Sequence, residues 1–234
     1  MSHAKRAYPS FFLLILLLAG VTGCSGEQGE RKAFVEFLQT RIIDQPGLRV
    51  PKLTDADKKS LGQYASQYAV IGDFNEHMGE AFNAASPAIQ TIASLSTPQE
   101  LMKGQSRIAE ARAALTKVEG QLAAELVQTQ ATRARLSQPD DLKAVYQAAF
   151  DKTVVRPSEL MLKVLEQTDG ILADAQGFAV FLQENQTSLS FVGSQVEVRS
   201  PAMLEKLNAH LGALNDKRQK LMELQGELGA MVGG

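Results

Sequence analysis

From Leu101 to Leu122 a large aliphatic residue recurs every seven positions, at Leu101, Ile108, Leu115 and Leu122, with Ala111 and Val118 between them. A seven-residue apolar repeat makes one narrow stripe along an α-helix and fits no face of a strand, whose side chains alternate with period two. Such a stripe is stable only when another helix covers it. Thr97-Pro98-Gln99-Glu100 is a strong helix start, with Thr at the N-cap, Pro at the first helical position and Glu two residues later. After Pro98 no proline interrupts the run to Leu136, which predicts one helix of ~60 Å. Gly104 and Gly120 weaken it by about 1 kcal/mol each relative to Ala.

The same spacing recurs on both sides. Phe34, Phe37, Leu38 and Ile42, with Arg41 among them, give a first helix starting near 27–31, running to about Asp44 and stopped by Gln45-Pro46-Gly47. Residues 48–53 read as an extended connector, since the residue before each proline is pushed out of the helical region. Thr54 caps a second helix, with Asp55 and Asp57 in its positive first turn. Its seam is Leu61, Tyr64, Tyr68, Ile71, Asn75, Met78 and Phe82, and Ser86-Pro87 is expected to end it and open a short helix to Leu95. After the break at 137–141, a short helix carries Leu142, Val145, Tyr146, Ala149 and Phe150 to about Thr153. Arg156-Pro157-Ser158 begins the next, with the seam Met161, Leu165, Thr168, Leu172, Ala175, Ala179 and Leu182. Ser200-Pro201 opens the last, with the seam Leu204, Leu207, Leu211, Leu214, Arg218, Leu221, Gln225 and Leu228.

One stretch changes period. In residues 188–199, Leu189 and Phe191, then Val196 and Val198, alternate with polar neighbours around Gly193-Ser194. That pattern predicts a β-hairpin with a two-residue type II′ turn, which must pack on the helices because an isolated hairpin is marginal in water. The expected fold is therefore all-α: an elongated antiparallel helical bundle with one short β-hairpin near residues 188–199. Continuous coiled-coil assembly is the alternative. The breaks at 86–98, 137–141 and 186–200 oppose it by returning the chain on itself.

The N-terminal segment follows different rules. Lys5 and Arg6 precede an apolar run from Phe11 to Val21, which ends in Thr22, Gly23 and Cys24. A basic start, a short apolar stretch and a small-residue exit make a secretory signal. The run reaches only ~16 Å as helix against a hydrocarbon core of ~30 Å, too short for a span. Cys24 is the one cysteine in 234 residues, so an intramolecular disulfide is excluded. Val21-Thr22-Gly23-Cys24 resembles a bacterial lipoprotein signal, in which an aliphatic and two small residues precede the cysteine that becomes residue one. The resemblance implies cleavage of residues 1–23, a diacylglyceryl thioether at Cys24 and an acylated amine there. One short acyl chain binds membranes only marginally, whereas several make a stable anchor. The expected layout is signal 1–23, lipidated Cys24 with a short tether to residue 30, and a single helical domain over 31–234. Ser25, where an Asp usually retains such proteins at the inner membrane, implies the periplasm-facing inner leaflet of the outer membrane.

Little else carries chemistry. A net charge of −2 offers no basic field for nucleic acid. His77 has no second His at zinc-protease spacing, though Glu76, His77 and Glu80 share a helix surface; His210 stands alone. No Cys–His cluster, phosphate loop, nucleophile elbow or dinucleotide fingerprint is present. Asp140-Asp141 follow Pro139 and suit a helix start better than paired catalysis. Asn75, Thr168, Arg218 and Gln225 are polar residues at seam positions. They specify register, or they line a polar groove between helices.

Several short stretches resemble the YiaF-like uncharacterised bacterial lipoproteins, a domain of unknown function. They are Arg31-Lys32-Ala33-Phe34 with Phe37-Leu38-Gln39, Pro51-Lys52-Leu53-Thr54, Asp57-Lys58-Lys59 leading to Tyr68-Ala69, Asp140-Asp141-Leu142-Lys143 with Ala149-Phe150, and Ser190-Phe191-Val192. The resemblance implies no activity, cofactor, metal or site residue beyond Cys24. The expectation is a non-enzymatic structural or adaptor module, held to the membrane through Cys24 and meeting envelope proteins by its helix faces. The alternative is a module that binds a lipid or other apolar ligand, which requires an apolar cavity of several hundred Å³, sought near Tyr64, Tyr68, Phe178, Phe181 and the hairpin.

Overall fold

A computed structural model describes residues 22–193 and 195–233. The expected signal segment up to Val21 lies outside the described residues. Helix α1 (Thr22–Leu38) continues into a π-helical turn, Gln39–Ile43, closed by Asp44 N–H donating to the Gln39 carbonyl at 2.9 Å. Residues 25–30 were expected as a flexible tether; they are the opening turns of α1. Phe34, Leu38 and Ile42 are fully buried and Phe37 nearly so, the predicted face. Arg41 stays exposed, its guanidinium 5.6 Å from the Phe37 ring centre.

The extended connector crosses to α2 (Asp55–Leu61) and is tied down by the Tyr68 hydroxyl, which donates to the Pro51 carbonyl at 2.6 Å. Thr54 and Asp57 form the reciprocal cap: the Thr54 hydroxyl accepts from Asp57 N–H, and the Asp57 carboxylate accepts from Thr54 N–H. A 3₁₀ turn, Gly62–Tyr64, then interrupts the predicted helix. Gly62 has φ +52°, and a Cβ there would lie 2.0 Å from the Glu30 carboxyl carbon. The left-handed φ is what favours glycine here, with the flexible Glu30 carboxylate of α1 lying over the bare Cα.

Helix α3 (Ala65–Ser94) runs straight through Pro87, contrary to the expected stop at 86–87. A proline removes one backbone hydrogen bond from a helix interior. Here burial of Ala85 and Ala88 on the core side holds the helix together across that gap. The Thr97 cap forms as read, with Glu100 N–H donating to its hydroxyl at 3.2 Å and Glu100 accepting from Thr97 N–H at 3.1 Å. The single long helix expected next is two: α4 (Pro98–Lys103) and α5 (Gln105–Ala134), kinked at Gly104. A Cβ on Gly104 would sit 2.7 Å from Leu95 Cδ2 and 2.8 Å from the Glu100 carbonyl, so the kink follows from tight packing under Leu95. The heptad residues Leu101, Ile108, Leu115 and Leu122 are buried as expected.

Helix α6 (Asp140–Phe150) passes through a second π turn, Asp151–Val155, into α7 (Arg156–Glu184) without the expected break. Pro157 is tolerated because it occupies the first turn of α7. The strands β1 (Leu189–Val192) and β2 (Gln195–Val198) pair antiparallel, with Leu189 opposite Val198 and Phe191 opposite Val196. Gly193 has φ +61°, as the predicted turn requires. Helix α8 (Pro201–Gly233) completes the chain. The fold is dominated by helices, with this one two-stranded sheet among the described residues.

Helix α7 is the axis, and α3, α4, α5 and α8 pack on it. Its predicted seam is buried throughout, and Leu160, Val164, Ile171, Phe178 and Phe181 are buried on further faces. The main core joins α1, α3, α5, α6 and α7, with an aromatic cluster at one end in which Phe34 stacks on Tyr64 at 5.6 Å and Phe37 meets Tyr68 edge-on at 5.1 Å. A second, smaller cluster of Leu160, Val164, Ile171, Leu221 and Leu224 fastens α8 to the other flank of α7.

Candidate ligand groove

Two seams rotate relative to the sequence expectation, and their rotation makes the site. On α3 the buried stripe runs Ile71, Phe74, Ala85, Ala88. A straight helix drifts ~20° per heptad against a strict seven-residue repeat. Asn75, Met78 and Phe82, assigned to the seam, therefore turn toward the edge, and Phe82 is 49% exposed. On α8 the face toward α7 carries Leu207, His210, Leu214, Lys217, Leu221 and Leu224, whereas Leu204 (45%) and Leu211 (41%) are exposed. Leu207, Leu214 and Leu221 of the predicted α8 heptad are right, and the other half is displaced by one residue, to His210, Lys217 and Leu224.

The displacement has a clear cause. Polar residues occupy the true seam because α7 satisfies them. The His210 ring lies 5.5 Å from Phe178 and 4.9 Å from Phe181. Lys217 donates to the Gly170 carbonyl at 3.2 Å, and its ammonium is 2.8 Å from Asp174 Oδ2. That oxygen is buried with no well-aligned hydrogen bond, so the contact is ionic. Hydrophobicity alone cannot find a seam built on such partners.

Helices α3 and α8 both rest on α7, and Ile92 of α3 packs against the small cluster that α8 shares with α7. Between them lies an open, mostly apolar groove of about 730 Å³. Met161 and Val164 of α7 form its floor, with Pro157 at one end. Asn75, Met78, Phe82 and Ile89 of α3 make one wall, Gln225, Leu228 and Val232 of α8 the other, and Leu48 of the connector closes an end. From Asn75 to Ile89 the α3 wall is ~21 Å long at 1.5 Å per residue. Of the four polar seam residues, Asn75 and Gln225 do line this groove. Thr168 is fully buried and donates to the Val164 carbonyl within its own helix, and Arg218 borders a small separate pocket near Leu95.

The place where a cavity was sought is filled: Tyr64, Tyr68, Phe178 and Phe181 are all buried in the core. Burial pushes the Tyr68 and Tyr146 hydroxyls well above the usual phenol range, and both donate to backbone carbonyls, of Pro51 and Gln67. They are structural ties.

The remaining candidates separate. His77 Nδ1 lies 3.0 Å from Glu125 Oε1 across α3 and α5, in a shallow cleft that Glu80 also lines, while Glu76 turns away to Lys52 at 3.0 Å. No hydroxyl or thiol lines that cleft. Among the described residues no group of three or more His, Cys, Asp or Glu is placed to hold a metal. Asp140 and Asp141 occupy the first turn of α6, as read. Cys24 belongs to the opening turns of α1. No described helix is long and apolar enough to cross a membrane.

The chain is similar to the "Uncharacterized protein YiaF" of Escherichia coli (strain K12), with 25% identity over 207 residues that cover 88% of this chain and 87% of the relative. The same identity and coverage hold for the proteins of that name from E. coli O157:H7 and Shigella flexneri. No solved structure matches. The family profile described as "Protein of unknown function (DUF3053)" matches residues 12–228, nearly the whole length, and the chain belongs to that family.

Proposed function

We propose that this is a lipid-anchored, non-enzymatic protein of the cell envelope that holds an apolar ligand in the groove between α3, α7 and α8. The groove carries the reading. Its volume, about 730 Å³, falls within the ~300–1,000 Å³ of small-molecule sites, and its lining is mostly apolar with a few polar groups at the rim. Exposed Phe82 and Val232 on facing walls are what such a ligand would cover. Attachment is through a lipidated Cys24, on the lipoprotein-like signal, and the address is the periplasmic face of the outer membrane, on Ser25. Along α1 and the π turn, Cys24 and Ile43 are ~28 Å apart. A helix of that length carries the Leu48 end of the groove away from the anchored end.

Organic extraction of the purified protein should yield an apolar molecule from the native chain and about tenfold less from Phe82→Asp, at a half-exposed position of the groove wall. Equal yields would sink the groove as the binding site. Intact mass with membrane fractionation tests the anchor separately: an unmodified Cys24 thiol overturns it.

The adaptor role keeps support from a different surface. Leu204 and Leu211, one heptad apart on α8, are exposed away from α7 and suit a partner helix from an envelope protein. Loss of a cross-linked partner on Leu204→Asp with Leu211→Asp would favour that role.

A further inference from the structure

The groove is not apolar to its end. Leu48 lines it and also lines two flanking clefts. One cleft holds Arg41 and Arg49 and shares Asn75 with the groove. The other holds Lys152 and Arg156, the residue before groove-lining Pro157. Lys152 is already engaged, donating to the carbonyls of Ile42, Ile43 and Gln45 at 2.6–3.0 Å, where it closes the π turn. Arg41, Arg49 and Arg156 are exposed, and none takes part in an ion pair among the described residues. The one carboxylate lining these clefts, Asp151, accepts from Gln147 Nε2 at 2.7 Å.

The Arg49 and Arg156 guanidinium groups thus lie in the two clefts that share Leu48 with the apolar groove, and Arg41, 5.6 Å over the Phe37 ring, lies in the cleft of Arg49. We propose that the groove takes a long-chain fatty-acid anion, its chain along Met78, Phe82 and Met161 and its carboxylate at the Leu48 end between Arg49 and Arg156, with Arg41 behind. Guanidinium groups bind carboxylates through paired, charge-assisted hydrogen bonds, and a small head can be reached from both clefts at once. The assignment rests on the groove reading above and adds the charge and class of the ligand to it.

The test uses photocrosslinking, which reports position even where the probe also partitions into bilayer. A diazirine-bearing long-chain fatty acid and its methyl ester are presented to the full-length lipidated protein in phosphatidylcholine vesicles, and adducts are mapped by mass spectrometry. The acid should label groove peptides containing Met78, Phe82 or Met161 about tenfold more than the ester. Arg49→Ala combined with Arg156→Ala, both exposed positions, should bring acid labelling down to the ester level. Equal labelling by acid and ester on the native chain overturns the carboxylate site and leaves the apolar groove standing. Absence of groove labelling by either probe overturns both.

Discussion

Helix α7 has two flanks, and they are held by different chemistry. Toward α5 and α6 it meets a continuous core of fully buried Phe150, Leu165, Leu172 and Leu182, reinforced by the Arg112 guanidinium, which donates to both Asp169 oxygens at 2.9 and 3.1 Å. Toward α8 it meets a small cluster, a stacked histidine and a lysine on a carbonyl and a carboxylate. Large apolar residues that interdigitate leave no room between helices. Helix α8 packs along α7 through alternating apolar and polar contacts but meets α3 little, so the space toward α3 stays open, and that space is the groove.

If the flanks differ in this way, truncating each should give unequal losses. Leu115→Ala, on α5 in the main core, should lower unfolding stability by about 4 kcal/mol, whereas Leu221→Ala on the α8 flank should cost nearer ~2 kcal/mol. Denaturant melts of both variants measure this. Equal losses would mean that α8 is as firmly built in as α5.

A finer break of the comparison is Lys217→Met. It leaves the buried Asp174 oxygen without its ionic partner, at a cost of about 1–3 kcal/mol. Hydrogen exchange should show that loss concentrated in α8 amides, with α5 unaffected. A uniform change along the chain would show that the two flanks unfold as one unit.

The smallest expected effect lies at the α4 cap, remote from the α8 flank, and serves as its control. Thr97→Ala should cost about 1 kcal/mol. The Ser96 and Thr97 hydroxyls hold Glu100 below the usual carboxylate range. Its stabilising effect is therefore fully present above the ordinary glutamate value and is lost as pH falls through the lowered folded one. Glu100→Gln should flatten this acid-side loss in a series of melts at falling pH, with groove labelling unchanged. A Glu100→Gln curve as steep as the native one would show that the cap carboxylate plays no part.

The seams of α5 and α7 were legible because apolar residues mark nearly all of them: Ile108, Leu115, Leu165 and Leu172 are buried where their spacing puts them. The hairpin and both Thr caps were legible for similar reasons, since period two and a Thr followed three residues later by an acid are local signals. The register of α8 was not legible. Its contact face includes His210 and Lys217, whose partners lie from 29 to 47 residues away in sequence on α7. Pro87 misled for a related reason, because packing on one face of α3 outweighs a local helix-breaking preference.

What the sequence by itself determined is the set of elements: which stretches are helical, where the two β-strands lie, and that Thr54, Thr97 and Ser200 each cap a helix. These depend on neighbours within a few positions, which any single chain displays. Tertiary structure alone decided that α3 and α8 lean on α7 without closing on each other. It also decided that Phe82, an expected core residue, is a groove wall, and that Arg49 and Arg156, over a hundred positions apart, flank the same leucine. The physical reason is that helix faces are set by the partner they meet. Small rotations accumulated over several turns, and polar groups satisfied across an interface, leave no periodic mark on the chain that makes them.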